Sequence, residues 1–341
     1  MSKKENQNKI SVIGCSGLVG SSIVRCALEK GYIVNGTMRN IKDDTKLKYL
    51  KILKNSENLE LFKADMSVLS DFDNCLQDVS TLFIACLIPT YKGFDGTPAK
   101  DLNNQRGYNE IINPTVNGCL NILKCAKKTN IKNVVICSST SSTNAIPAVS
   151  VKNEIDHWSD ETEQCKSKKY TSATKTVMEK AAIRFCNEND IRLSIILPTG
   201  LYGDAIMPDH MKHNPFIWLK RVLEGGEPRH IKTPNDSASM IHLRDLAEIF
   251  LACHENKNAS GRYYGVYKSL HWQEIYFECQ KLLPHMKMPE PLNENAVIPT
   301  GFDFTRRDSL GVNIRDFPSM LKDTIDWIES NPFKYLFFKI L

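Results

Sequence analysis

The chain has 341 residues, 42% of them hydrophobic and 24% charged, with 17 glycines and 15 prolines. That composition belongs to one large or two fused globular domains and excludes disordered and collagen-like chains. A net charge of +5, spread along the chain, carries no nucleic-acid footprint. Eleven cysteines lie without a CxxC pair or a His/Cys ladder at zinc spacing, so no metal is expected. Several of them (Cys86, Cys119, Cys125, Cys137, Cys253) sit in apolar runs, where a reduced thiol packs as a small hydrophobe. With no signal peptide at the lysine-rich start, the expected compartment is the cytoplasm. The longest apolar run, residues 82–89, is too short to span a bilayer. The expected partner is a small molecule, and the oligomeric state is left open.

In chain order, apolar β-branched runs at residues 10–13, 32–34, 59–62, 81–85, 134–137 and 192–197 predict buried strands. Residues 18–30, 114–128 and 171–186 between them carry the helical period. This alternation predicts an α/β fold, a doubly wound parallel sheet that binds ligands beyond the carboxyl ends of its strands. After Pro198 the pattern loosens into helices at 243–254, 272–283 and 317–330 with no regular strand between them. Residues 8–200 are therefore expected to form a Rossmann dinucleotide domain. Residues 201–330 are expected to form a smaller, mostly helical substrate-binding part interleaved with it, and 331–341 an apolar tail that docks on the domain.

The first strand runs into Gly14-Cys15-Ser16-Gly17-Leu18-Val19-Gly20 and then into a helix. One glycine allows the tight turn, one lets backbone N–H groups approach a pyrophosphate, and one lets helix and strand pack closely. The positive end of the helix faces the anion. At the end of the second strand, where a carboxylate would bind the ribose hydroxyls of NAD, the sequence offers Arg39, with Lys46 following. A guanidinium fork suits a 2′-phosphate, so the cofactor expected is NADP(H). Asp65 and Met66 follow the third strand, and Asp65 could accept a hydrogen bond from adenine. Ala85 and Cys86 at the end of the fourth apolar run and Pro198 at the end of the sixth complete the expected cofactor set.

These segments resemble the extended short-chain dehydrogenase/reductase family, nearest to its dihydroflavonol 4-reductase and cinnamoyl-CoA reductase branch. The resemblance rests on the glycine loop, Thr37-Met38-Arg39, Leu61-Phe62-Lys63-Ala64-Asp65-Met66 and the stretch from Pro114 to Lys124. Further matches are Val135-Ile136-Cys137-Ser138-Ser139, Thr174-Lys175-Thr176-Val177-Met178-Glu179-Lys180, Ile241-His242-Leu243-Arg244-Asp245 and Gly261-Arg262-Tyr263-Tyr264. It implies hydride transfer between NADPH and a carbonyl, with a tyrosine as proton donor, a lysine four residues later and a serine after the fifth strand. Ser139 fits the serine, with Thr140 the fallback hydroxyl. Asn144 falls where dihydroflavonol reductases carry a substrate-contacting asparagine. Tyr202 and His210 are further substrate candidates, and Ile206, Met207, Met211, Phe216, Ile217 and Trp218 suggest an apolar lining. The activity expected is reduction of an aldehyde or ketone on a small, moderately apolar molecule.

The tyrosine is out of step. Aligning Thr174-Lys175-Thr176 with the family motif makes Lys175 the lysine and leaves Thr171 four residues before it, with Tyr170 five before. Five residues of regular helix turn the pair about 100° further than four. An irregular first turn or π-bulge would absorb the extra residue and keep Tyr170 as the acid. Otherwise Thr171 or Tyr202 takes its place, or the site binds NADP(H) without turnover. A sugar-nucleotide epimerase or dehydratase is the remaining alternative.

Overall fold

The computed structural model describes residues 8–330 and Phe333. In chain order the strands are β1 (Lys9–Ile13), β2 (Ile33–Met38), β3 (Leu59–Lys63), β4 (Thr81–Ile84), β5 (Asn133–Cys137) and β6 (Val151–Lys152). They continue as β7 (Arg192–Pro198), β8 (Gly200–Tyr202), β9 (Ser237–His242), β10 (Gly261–Gly265), β11 (Lys268–His271) and β12 (Gly301–Phe302). Seven of them form one parallel sheet in the order β10-β7-β5-β4-β1-β2-β3. The doubly wound sheet expected from the sequence is therefore present. Its seventh strand, β10, comes from a segment read only as a family match and not as a strand. The order reverses between β1 and β4, which opens a crevice at their carboxyl ends.

The period of two within each strand sorts its side chains to the two faces. Leu82, Ile84, Val134 and Ile136 join the core on one side, with the helices Asn113–Lys128 and Tyr170–Asn187. Phe83, Val135 and Cys137 join the other, beneath Leu18–Glu29 and Leu243–Glu255. Helices on both faces are why the central strands read as near-continuous apolar runs. A third core gathers Trp218, Trp272 and Phe317 in the C-terminal part, around the small sheet β11-β9-β8. Phe333 packs edge-on against Tyr49 and Trp327, with ring centroids 5.3 and 5.6 Å away. The rest of the apolar tail lies outside the described residues. Among those described, no helix is long and apolar enough to cross a membrane.

One buried cation ties β10 to the helix Tyr170–Asn187 and to the segment after β5. Arg262 on β10 is 5% exposed, and its Nε lies 2.9 Å from Glu179 Oε2 on the helix Tyr170–Asn187. Its other nitrogens donate to the carbonyls of Glu154 and His157, each at 3.0 Å, and to Ser142 Oγ at 2.9 Å. The guanidinium carbon also lies over the Trp158 ring, 3.6 Å from its centroid. Removing one member of a buried pair leaves the other charge stranded, which costs about 3–5 kcal/mol. Arg262→Met is therefore expected to lower the unfolding free energy by about that much, read as a fall in the urea midpoint, whereas a loss below about 1 kcal/mol would mean the pair fastens nothing.

Candidate active site

The glycine loop is built as its spacing demands. Gly14 has φ +86°, a backbone that favours glycine, and its N–H donates to Thr37 Oγ1 at 3.2 Å. A side-chain carbon on Gly20 would stand 2.1 Å from the Gly14 carbonyl oxygen, so only glycine lets the helix Leu18–Glu29 approach so closely. Gly17 caps that helix, and a carbon added to it would meet only the Gly14 oxygen, at 3.4 Å. Gly17 thus leaves open space in front of the helix N-terminus. That space is a cleft of about 400 Å³, with Gly14, Ser16, Gly17, Arg39, Asp65, Met66, Ala85 and Cys86 on its walls.

A second cavity of about 600 Å³ shares Ser16, Gly17, Arg39, Ala85 and Ile88 with the first. It carries Leu18, Val19, Lys46, Ser139, Lys175, Pro198 and His210 of the expected residues. Gly20 is buried under the loop and lines neither cavity. Arg39 is exposed and makes no hydrogen bond to the described residues, so its fork is free to meet an anion. Asp65 Oδ1 accepts from the N–H and hydroxyl of Ser67 at 2.9 and 2.7 Å, which holds its carboxyl below the usual range. Lys46 stands 3.9 Å from both Asp43 and Asp209, loosely shared between them.

Lys175 Nζ donates to the Leu87 carbonyl at 2.5 Å. Burial without a contacting carboxylate pulls its pKa below the ordinary lysine value. Ser139 starts a tight turn, its Oγ accepting from the Ser141 N–H at 3.2 Å. The structure brings these two to one wall and adds Thr171, Ser172, Ser141, Tyr91 and His213, of which only Thr171 was singled out from the sequence as a possible acid. The signal for Ser172 was present, because residues three before a lysine share its helix face. Tyr91 lies on an irregular loop with no periodicity to read.

Tyr170 is elsewhere. It is fully buried, and its hydroxyl donates to Asn104 Oδ1 at 2.8 Å and faces the Leu102 carbonyl at 3.3 Å. A carbon added to Gly107 would fall 2.4 Å from its ring, so the phenol fills a slot that glycine leaves. The helix is regular from Tyr170 onward, with Thr174 Oγ1 donating to the Tyr170 carbonyl. The irregular turn exists, but in the facing segment Tyr108–Ile112, which is π-helical. With no bulge in its own helix, Tyr170 faces away from Lys175, and its expected place as the acid is corrected. Tyr202 is also withdrawn, its ring packed edge-on to Phe317 at 5.5 Å and its ionisation suppressed by burial. Thr140 lines neither cavity, and Asn144 faces a different one. Ile206, Met207, Phe216 and Trp218 are core residues and not a lining.

The sequence profile of the NAD dependent epimerase/dehydratase family matches residues 10–266. The chain belongs to this family. It is 27% identical to cinnamoyl-CoA reductase CAD2 of Medicago truncatula over 98% of this chain and all of that one. It is 33% identical to a dihydroflavonol 4-reductase of Callistephus chinensis over 76% of this chain and 69% of that one. Vestitone reductase from alfalfa shares the fold, with a TM-score of 0.74 and 24% identity over 95% of this chain and 99% of its own. The family member therefore sits in the reductase branch.

His210 links the substrate side to the glycine loop. Its Nε2–H donates to the Ser16 carbonyl at 3.2 Å and its Nδ1 faces the Met207 N–H at 3.3 Å, so both ring positions are satisfied only when the ring is neutral. Burial pushes its pKa down to about 4, and that of His242 likewise. The unfolded chain protonates these rings near 6.5 while the folded chain does not, so their stability contribution is complete above pH 6.5 and is lost as pH falls toward 4. His210→Gln keeps the donor and removes the titration. The drop in melting temperature between pH 6.5 and 4 is expected to shrink in this variant, and an unchanged drop would show that His210 does not titrate in that window. Tyr170→Phe removes only a buried hydroxyl bond, so a loss of about 1–2 kcal/mol in stability is expected with cofactor binding kept. A loss of cofactor binding without destabilisation would place the phenol in the site after all.

Proposed function

We propose that the chain is an NADP(H)-dependent oxidoreductase of carbonyl compounds in which Lys175, and not a tyrosine, handles the proton. The observation that carries this reading is the single cavity wall on which Lys175, Ser139 and the open face of Gly17 meet. The residues present fit the dinucleotide. Gly17 leaves a cradle at the helix N-terminus, Arg39 offers an unpaired guanidinium for a 2′-phosphate, and Asp65 and Met66 line the adenine side. When bound, the reduced cofactor supplies a hydride to the carbonyl carbon.

The Ser139 hydroxyl donates to the carbonyl oxygen and fixes its position against the wall. As negative charge grows on that oxygen, the Lys175 ammonium gives it a proton, directly or through the Thr171 hydroxyl one helical turn before. The exchange of acid is chemically even. A phenol has a pKa near 10 and an ammonium near 10.4, and burial lowers the Lys175 value further, which makes it the stronger acid. Because the acid must start protonated, reduction should slow as pH rises through the lowered Lys175 value.

The withdrawal of Tyr170 supports a second reading, a dinucleotide-binding protein that turns nothing over. The two part in one assay, NADPH consumption by the purified chain with a panel of aldehydes and ketones beside a titration of cofactor binding. Turnover that falls about 10²–10⁴-fold in Lys175→Met is the expected result. Turnover that survives the substitution would remove Lys175 from the chemistry, and binding without turnover across the panel would favour the second reading.

A further inference from the structure

A third cavity, of about 450 Å³, lies beyond the turn that begins at Ser139. Ser172 is a wall of both this cavity and the one that holds Lys175. With Thr171 and Ser172 both short, no bulky side chain at these two positions stands between the two spaces. Asn144, absent from the Lys175 cavity, lines this one.

The lining carries two carboxylates and two ammoniums, which do not pair with one another. Asp160 is spent as a helix cap, its Oδ1 accepting from the N–H groups of Thr162 at 2.7 Å and Glu163 at 3.1 Å. Glu163 is paired with Lys166 at 2.6 Å. The two cations of the lining have no such partner. Lys152 Nζ donates to the neutral Asn144 Oδ1 at 2.6 Å and has no carboxylate within ion-pair distance among the described residues. Lys169 makes no side-chain hydrogen bond or ion pair among them. Lys152 is half-buried, and a half-buried ammonium without a carboxylate partner is a standing electrostatic cost that an incoming anion relieves, while Lys169 is exposed and adds its charge from the solvent side.

We propose that the substrate is a carbonyl compound bearing an anionic group, a carboxylate or a phosphate, with the anion held by Lys152 and Lys169 and the carbonyl reaching past Ser172 to Lys175. This rests on the reductase reading and replaces the moderately apolar substrate expected from the sequence with an oxo acid or phosphorylated aldehyde whose two groups are separated by a spacer. Asn144 orients Lys152 and fills the neutral part of the site.

The test pairs oxo acids of increasing spacer length with their methyl esters, and phosphorylated aldehydes with their free alcohols. Each is measured twice on the full chain: by NADPH consumption, and by calorimetric titration with NADP saturating. At the fitting spacer the charged member should be favoured roughly tenfold or more, as a charge-assisted contact in a sheltered site allows. The ratio of charged to neutral should fall toward one in Lys152→Met and in Lys169→Met, the second being a surface change that leaves the core untouched. Which pair shows the preference separates carboxylate from phosphate. Equal values for both members at every spacer, or a preference that survives both substitutions, overturns the proposal. Neutral carbonyls turned over with no gain from charge would sink the anion site and leave the reductase standing. Lysine-dependent binding of the anion with no turnover would keep the site and sink the reductase.

Discussion

A guanidinium cannot be deprotonated inside a protein, so Arg262 must be surrounded by acceptors or it will not stay buried. The chain supplies them from two separate places: Glu179 from a helix, and Ser142, Glu154 and His157 from the segment after β5, whose Trp158 ring covers the guanidinium. Each of those groups is thereby held against β10. Glu179 in turn takes the Ser138 hydroxyl, one residue before Ser139, and sits one helical turn after Lys175. Ser139 and Lys175 are thus placed by a charge neither of them touches. A buried pair of this kind is weak evidence for stability as such. Its evident work here is geometric, because it locks the loop and the helix to the same strand.

The parts of the fold that could be read from the sequence are those where backbone geometry dictates composition. The glycine loop was legible because Gly14 needs a positive φ and Gly20 has no room for a side chain. The six apolar runs were legible because strands covered on both faces have no polar side to interrupt them. β10 was not, since Gly-Arg-Tyr-Tyr-Gly has a charge at its second position and glycine at both ends. Nothing local says that the arginine goes inward, because the acceptors that permit it lie more than a hundred residues earlier in the loop 142–157. β9 was hidden for a related reason, its first three residues being the small Ser237, Ala238 and Ser239.

Beside the apolar packing of Leu18, Ile206 and Met207, the polar contacts between the two halves over the dinucleotide cleft are few. His210 reaches back to the Ser16 carbonyl, Lys46 stands between Asp43 and Asp209, and Arg25 pairs with Asp204 at 2.7 Å. Only the last is a close ion pair with a largely buried cation, so it anchors the start of the C-terminal part. The Lys46 contacts lie at the exposed rim of the cavity and are weak enough to be remade around a ligand. Such an arrangement holds the substrate-side segment near the glycine loop without closing it. It also explains why the substrate residues were the least legible: they are set by where a loop rests, and no periodicity records that.

The helix that begins at Tyr170 shows how one residue of offset can turn a side chain to the other face without breaking a fold. A tyrosine four positions before Lys175 would share its face; at five positions it turns to the opposite side, where Gly107 leaves a slot and Asn104 offers an acceptor. An aromatic ring gains more by filling that slot than by distorting the helix to recover the cavity, since a bulge would sacrifice backbone hydrogen bonds in its own first turn. The facing segment Tyr108–Ile112 takes the irregularity instead. What remains on the cavity side is a threonine, a serine and a lysine, which opens space and removes the phenol together. The same offset that turns the phenol away therefore leaves short side chains on the wall toward Asn144 and Lys152, and the proton donor and the anionic substrate that we propose trace to this single feature of the chain.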